Sequence, residues 1–267
     1  MSQRVLITGA AGGIATAAIE QLRGRGADVC GLDLVGSDDG SIVACDVTDQ
    51  ESVDAAVATA IERLGGLDVL INCAGVGFPQ SAGERPDTDA VRVIEINRLG
   101  PWRVTAAALP ALRESRGRVV NVASGLAHIT VPFATAYCMS KRGLVAYSDA
   151  LRIEHGDRIS VTTVYPGYIR TPIHEAAAAK GLSLEGLVPA EGVADAGATL
   201  VRAALDAPER DVATTGRGKA GYALLKLAPR GLVDRALRRQ LRRSVRDGAF
   251  AESPVAADFR ERLLRTS

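Results

Sequence analysis

The sequence predicts a doubly wound α/β fold, a parallel sheet with helices on both faces, followed by an amphipathic helical extension. Three observations carry that expectation. Short β-branched runs alternate with helical patterns, a glycine-rich turn follows the first run, and 267 residues suffice for one such domain. The first strand is expected over Arg4–Thr8, with the apolar core Val5-Leu6-Ile7, and a helix over Ile14–Arg25. A strand over Asp28–Leu32 comes next, then a short strand over Ile42–Ala44 and a helix over Ser52–Leu64. Val69–Asn72 reads as a strand, Val91–Leu112 as one long helix, and Arg118–Val122 as a strand. A helix over Ala134–His155 and a strand over Ser160–Tyr165 complete the alternation, and Ala176–Ala179 reads as a short helical excursion.

Composition excludes several classes. Apolar residues make up 47% and charged residues 24%, the balance of an ordinary globular protein, and a net charge of +1 gives no overall attraction to nucleic acid. No uninterrupted apolar run approaches the length of about 20 residues that crosses a bilayer, and Met1-Ser2-Gln3-Arg4 leads straight into a strand. A cytoplasmic protein is expected. Cys30, Cys45, Cys73 and Cys138 lack the spacing of a zinc site or a disulfide framework and read as buried, reduced thiols. His155 and His174 have no partners at metal-ligand spacing, so no metal is expected.

The turn after the first strand, Thr8-Gly9-Ala10-Ala11-Gly12-Gly13-Ile14-Ala15, has the chemistry of a phosphate cradle. Gly9, Gly12 and Gly13 let the backbone approach a pyrophosphate, whose charge is met by the N-terminus of the next helix. Asp33 ends the second strand 24 residues after Gly9, where a carboxylate accepts both ribose hydroxyls and repels a 2′-phosphate. No arginine or lysine lies inside the glycine loop or just after Asp33, so NAD is expected in preference to NADP.

Farther along, Ser124 is followed after thirteen residues by Tyr137 and after four more by Lys141. Residues four apart share a helix face, so an ammonium can sit beside a phenol. A free phenol has a pKa of about 10, and a base working near neutrality needs roughly 4 kcal/mol of preference for the phenolate, which a nearby lysine and a cationic nicotinamide can supply. Lysine is scarce here, four residues against twenty-eight arginines, which singles out Lys141 as a tunable cation where arginine would be permanently charged.

With these motifs in order, the chain from about residue 4 to residue 206 resembles the short-chain dehydrogenase/reductase family, which implies a Rossmann-type fold. The resemblance makes Tyr137 the general acid/base on the substrate oxygen, Ser124 a hydrogen-bond partner of that oxygen, and Lys141 the holder of the nicotinamide ribose. Asn97 falls where the family keeps an asparagine supporting a water relay to the lysine. For the cofactor, the resemblance implies Gly9, Ala11, Gly12, Gly13 and Ile14 in the loop, and Asp33 and Leu34 after strand two. Asp46 and Val47 would lie beside the adenine, and Asn72, Ala74 and Gly75 match the run after strand four. Pro166, Gly167, Ile169 and Thr171 would lie on the nicotinamide side, with Tyr137 and Lys141 again. The departures are Ala15 for a final glycine and Cys73 for an asparagine.

The resemblance implies one catalytic domain over residues 1–215, with a mobile substrate lid around 168–190, and a helical extension over 216–267 packed on it. The tyrosine–lysine separation is that of the family's alcohol and carbonyl enzymes, not of its enoyl reductases. The expected activity is therefore interconversion of a secondary alcohol and a ketone, with NAD favouring oxidation. Val76, Phe78, Leu126, His128, Phe133 and Tyr168, with residues 173–187, are the candidate substrate-facing residues; their apolar character suggests a sterol, terpenoid or long-chain alcohol. Alternatives are an NADPH-type reductase of ketoacyl or carbonyl groups and a non-catalytic NAD-sensing regulator. A homodimer or homotetramer is implied, with helices around 91–112 and 134–155 at the interface. For the arginine-rich helix near the C-terminus three readings stand: packing on its own domain or a sister subunit, a substrate-entrance cover with Tyr222, Leu224, Leu225 and Leu227, and attachment to an anionic membrane surface.

Overall fold

The computed structural model describes residues 2–182, 190–214, 220–221, 224 and 227–265. Strands β1 (Arg4–Thr8), β2 (Asp28–Asp33), β3 (Ile42–Ala44), β4 (Val69–Asn72), β5 (Arg118–Val122) and β6 (Ser160–Tyr165) fall where the sequence predicts them. Two short strands, β7 (Tyr168–Ile169) and β8 (Ala190–Glu191), pair with each other, and β9 (Asp211–Ala213) is an edge strand that sequence reading did not identify. The main sheet has seven parallel strands in the order β3-β2-β1-β4-β5-β6-β9.

Helices α1 (Gly13–Gly24) and α7 (Val193–Leu205) cover one face, α7 being the second element missed from sequence. Their close approach depends on Gly197, where a Cβ would lie 3.0 Å from the Ala17 carbonyl carbon. Their core joins Ala18, Leu22, Leu200 and Ala204 to Val5, Ile7, Ile71 and Val120 of the sheet. Helices α2 (Gln50–Leu64), α4 (Gly100–Ser115) and α5 (Thr135–His155) cover the other face, burying Val53, Val57, Val104, Leu112 and Leu151 against Leu6, Leu70 and Val119. Alternate residues of β1 thus enter opposite cores, as the period of a strand buried on both faces requires.

The long helix expected over residues 91–112 is in fact two. Helix α3 (Thr88–Ile94), started by Asp87 accepting the Ala90 N–H at 2.7 Å, runs through a wide π-type turn, Glu95–Leu99, into α4. Pro101 has no N–H to return to the carbonyl four residues back, that of Asn97, and a turn widened by one residue accommodates this.

The C-terminal segment forms α8 (Arg230–Arg246) and α9 (Ala257–Arg265) around a separate small core. Leu237, Leu241, Val245, Phe250, Ala256 and Phe259 pack there against Phe133, Ala177 of α6 (Glu175–Ala178) and Leu182. The extension is thereby fastened to the region after β6 and to the loop preceding α5.

Leu70 lies at the middle of the sheet with no exposed surface. Leu70→Ala is expected to lower the unfolding free energy by about 2–5 kcal/mol, read as a lower urea midpoint at an unchanged slope. A loss below about 1 kcal/mol would mean that this core collapses around the cavity.

Candidate active site

The carboxyl ends of the central strands open into one cavity of about 950 Å³, at the upper end of the size of small-molecule sites. Its floor begins at the glycine loop. Gly9 adopts φ +69°, and a Cβ there would fall 2.7 Å from Ala74 Cα, so only glycine lets the loop after β1 lie on the strand after β4. Gly12 precedes α1 without a side-chain cap, and no acidic residue occupies the first turn of that helix. Its first N–H groups and positive dipole end are therefore left for an anion.

Asp33 lies across from this loop. Its Oδ2 accepts the Ala11 N–H at 2.9 Å and its Oδ1 accepts the Leu34 N–H at 2.7 Å, which fixes the carboxylate at the cavity edge. Asp46 accepts from the backbone N–H and hydroxyl of Thr48, at 2.9 and 2.7 Å, and these bonds hold its carboxyl below the usual range. Gly9, Ala11, Gly12, Gly13, Ile14, Asp33, Leu34, Asp46, Val47, Ala74, Gly75, Pro166, Gly167, Ile169 and Thr171 all line the cavity, as do Ser124, Tyr137 and Lys141.

Lys141 is the unusual group. It is 3% exposed, carries no ion pair among the described residues, and donates one hydrogen bond to the protein, to the Val122 carbonyl at 2.9 Å. Desolvation lowers its pKa to about 8. Its Nζ lies 5.8 Å from the centre of the Tyr137 ring. Burial pushes Tyr137 up to about 12, and the Ser124 hydroxyl draws it partly back. The Ser124 Oγ also accepts the Leu126 N–H at 3.2 Å, which orients it at the end of β5. Cys73, beside the lysine, is pushed to about 11 by burial and stays a thiol at neutral pH.

Four predicted residues do not line the cavity. The Asn97 side chain is fully buried and occupied: its Oδ1 accepts the Val76 N–H at 2.8 Å, and its Nδ2 donates to the Val76 carbonyl at 2.9 Å and to Ser140 Oγ at 3.2 Å. It clamps the strand-four extension to α5, and does not line the cavity. Asn72 is buried among Thr105 and Asn121, donating to them at 3.0 and 2.8 Å, and its side chain belongs to the core of the sheet, outside the cavity lining. His128 is buried against the Tyr165 ring, 4.6 Å between centres, outside the cavity. Phe133 faces Phe250 and Phe259 at 6.0 and 5.5 Å instead of a substrate, because the C-terminal core draws it away.

Val76, Phe78, Leu126 and Tyr168 do line the cavity, with Ile173 from the expected 173–187 segment. Residues 183–187 of that segment lie outside the described residues, as do Tyr222 and Leu225 of the expected entrance cover and residues 183–189 of the expected 168–190 lid. His174 of the same segment lines the cavity too; sequence reading missed Ile129 and a row from α3 into the wide turn, Thr88, Val91, Arg92, Glu95 and Ile96. The last group recurs at helical spacing, a signal that was present. Glu191 was missed too: it accepts the Gly167 N–H at 3.0 Å and the Thr214 hydroxyl, bracing the loop after β6.

A family model described as short chain dehydrogenase matches residues 3–181. The human 17-beta-hydroxysteroid dehydrogenase type 6 is 40% identical over 158 residues, 57% of this chain and 46% of that one. Trans-4-hydroxycyclohexanecarboxylate dehydrogenase of Sinomonas cyclohexanicum is 33% identical over 189 residues, 63% of this chain and 73% of that one. Human retinol dehydrogenase 16 matches at 38% over 158 residues, 58% of this chain and 46% of its own. The chain thus spans about half the length of the human relatives it matches. Among solved structures, a short chain dehydrogenase from Burkholderia cenocepacia in complex with NADP has a TM-score of 0.73 at 24% identity, over 88% of this chain and 98% of that one.

Lys141 gives up its proton at about 8 in the folded protein against 10.5 in an unperturbed lysine, so its charge costs stability at neutral pH. Lys141→Met is expected to raise the unfolding free energy at pH 7 by about 1–3 kcal/mol. The difference should shrink as the pH rises from about 8 to 10.5, the window in which the unfolded chain alone retains that proton. Urea unfolding of both proteins across that window checks the sign; equal stability at pH 7 would show the ammonium to be fully compensated. Gly9→Ala, placing a Cβ against Ala74 at positive φ, should weaken dinucleotide binding at least about tenfold in a fluorescence titration.

Proposed function

The chain belongs to the short-chain dehydrogenase/reductase family, and from that premise we propose that it interconverts a secondary alcohol and a ketone with a nicotinamide dinucleotide, NAD in preference to NADP. The observation that carries this reading is the buried, unpaired ammonium of Lys141, held by one carbonyl beside Tyr137 at the end of a cavity that begins at the glycine loop. A protein rarely buries an uncompensated cation without a use for it, and the lysine's remaining N–H groups suit ribose hydroxyls. The residues present fit a dinucleotide: a helix start without a side-chain cap for the pyrophosphate, Asp33 for the ribose, and Asp46 and Val47 at the adenine end.

When bound, the nicotinamide supplies the hydride acceptor or donor. The chain's own groups handle the proton. Tyr137 gives or takes it at the substrate oxygen, and Ser124 donates a hydrogen bond to the same atom. In the free protein the phenol sits near 12, too weak an acid to lose its proton at neutral pH, so oxidation requires that its anion be stabilised. A protonated Lys141 close to the ring, with a cationic ring bound alongside, acts in that direction. Asn97 positions this group indirectly through Val76 and Ser140, the latter donating to the Tyr137 carbonyl at 2.8 Å. Preference for NAD rests on Asp33 and on the absence of any lysine or arginine near it in the cavity, whose described cations are Arg92 and Lys141.

Val76, Phe78, Leu126, Ile129, Tyr168 and Ile173 give the substrate end an apolar lining, which favours a hydrophobic or cyclic secondary alcohol. The names of the relatives, a hydroxysteroid dehydrogenase, a retinol dehydrogenase and a hydroxycyclohexanecarboxylate dehydrogenase, lie in the same chemical range. Homo-oligomerisation across α4 and α5 is part of the same proposal. Trp102 and Ile153 are 56% and 85% exposed on those helices, and Trp102 stacks on Tyr147 at 5.5 Å, an apolar outer surface suited to a second copy.

Absorbance of reduced nicotinamide over a panel of cyclic and long-chain secondary alcohols tests the reading. Turnover with NAD should fall by a factor of about 10³ or more in Tyr137→Phe, while dinucleotide affinity stays within about threefold. Binding of NAD with no turnover of any alcohol or ketone would favour a sensor. Asp33→Ser should shift the NAD-to-NADP preference towards NADP at least about tenfold; an unchanged ratio would show that Asp33 does not read the ribose.

A further inference from the structure

The inner face of α8 belongs to the C-terminal core, through Leu237, Leu241 and Val245. Among the described residues its outer face has no partner. Leu232, Arg235, Arg239, Arg243 and Arg246 follow one another at spacings of three or four residues, and so form one continuous stripe on the side opposite the buried leucines. All five are exposed. None of the four arginines makes a hydrogen bond or ion pair among the described residues, and the one acid of the helix, Asp234, neutralises none of them. Arg235 with Arg239, and Arg239 with Arg243, are like-charge neighbours one helical turn apart and repel one another. Leu232 in the first turn of the helix is 56% exposed, and Leu224 and Leu227, shortly before it in the chain, are 69% and 85% exposed. Self-repelling arginines beside bare leucines are costly in water, and both costs vanish together against one kind of surface.

We infer that the outward stripe of α8, with Leu224, Leu227 and Leu232, docks the protein on an anionic lipid surface. The arginines meet lipid phosphates, with their stems along the acyl boundary, and the leucines enter the headgroup region. The exposed residues fit this partner better than a nucleic acid, since the stripe carries no aromatic ring on which a base would stack and presents leucines that a phosphate backbone would leave wet. A second copy of the same stripe would meet it with like charge. The docking also has a geometric consequence. The inner face of α8 shares its core with Ala177 and Leu182, whose neighbour Ala176 lines the cavity, so the docked helix would lie on the side of the protein that carries the substrate end. The inference does not depend on the reaction proposed above.

Co-sedimentation of the full chain with vesicles tests it without any substrate. The protein should pellet with vesicles of phosphatidylcholine containing one-third phosphatidylglycerol at about 0.1 M salt and should be released at about 1 M salt, where the screening length falls from about 10 to about 3 Å. It should stay in the supernatant with phosphatidylcholine alone. Arg235→Glu/Arg239→Glu/Arg243→Glu should bind anionic vesicles about a hundredfold more weakly, with the NAD affinity and the circular dichroism of the parent. Equal pelleting with neutral and anionic vesicles, parental binding by the triple variant, or salt-sensitive binding to duplex DNA in the absence of vesicle binding would each overturn the inference. Should the triple variant fail to fold, Arg239→Gln/Arg243→Gln asks the same question with less charge reversal, and the lipid-charge and salt arms on the parent protein decide it independently.

Discussion

The strand order of the sheet governs nearly everything of functional interest in this molecule. From β1 the chain winds outward to β2 and β3, then crosses back to β4 and continues outward through β5, β6 and β9 in the opposite direction. The connections that leave the two strands at that reversal, β1 and β4, run to opposite faces, and the crevice between them is filled by neither. Five of the segments that form the cavity lie at the carboxyl end of a parallel strand: the glycine loop after β1, Asp33 at the end of β2, Ala74 and Gly75 after β4, Ser124 after β5, and Pro166-Gly167 after β6. The contact between Gly9 and Ala74 lies at the reversal itself, where the two half-sheets come closest above their strands.

Within that crevice the distribution of polar groups is uneven in an instructive way. At the backbone-rich end, short hydrogen bonds from Ala11 and Leu34 fix the Asp33 carboxylate beside the glycine loop, whose following helix start is left uncapped. At the other end sits an ammonium whose burial is opposed by its own desolvation, next to a phenol whose ionisation is opposed for the same reason. Each is displaced away from the charged form, and each would be restored towards it by the other, the phenolate further by a cationic ligand bound alongside. The supporting residues serve this arrangement from a distance. Asn97 spends its whole carboxamide on Val76 and Ser140, and the wide turn that Pro101 permits brings it to the level of α5.

The C-terminal extension adds a second centre of organisation. Its small core gathers Phe250 and Phe259 onto Phe133, four residues before Tyr137, and holds Phe133 in a left-handed backbone conformation at φ +60°. A bulky residue adopts that conformation only where surrounding packing over-determines it. The same core reaches the wall of the substrate end through Ala177 and Leu182. The extension therefore bears on both the helix that carries the tyrosine and the segment facing it, while its arginine-rich surface points away from the protein.

Local chemistry made much of this legible before any coordinates. Six strands of the sheet, the glycine loop, Asp33 and the Ser124, Tyr137 and Lys141 set follow from periodicity, from backbone freedom and from spacing along one helix face, which are properties of short stretches of chain. What short stretches do not encode is which of two directions a side chain takes when several partners compete for it. Asn72 and Asn97 resemble site residues by position, yet buried donors and acceptors claim their amides. His128 and Phe133 sit in a loop near the catalytic set, but Tyr165 and the C-terminal aromatics draw them out of the cavity. The break in the helix over residues 91–112 arises where a missing proline N–H meets the packing of Asn97. The row from Thr88 to Ile96 faces the cavity because the reversal of the sheet puts α3 above it. Sequence alone determined the alternation, the glycine-rich turn and the placing of Tyr137 and Lys141 on one helix face, since each rests on contacts within a few residues. Tertiary structure alone decided which polar groups stay free to act, because that depends on long-range neighbours that satisfy some of them and leave Lys141 with a single carbonyl.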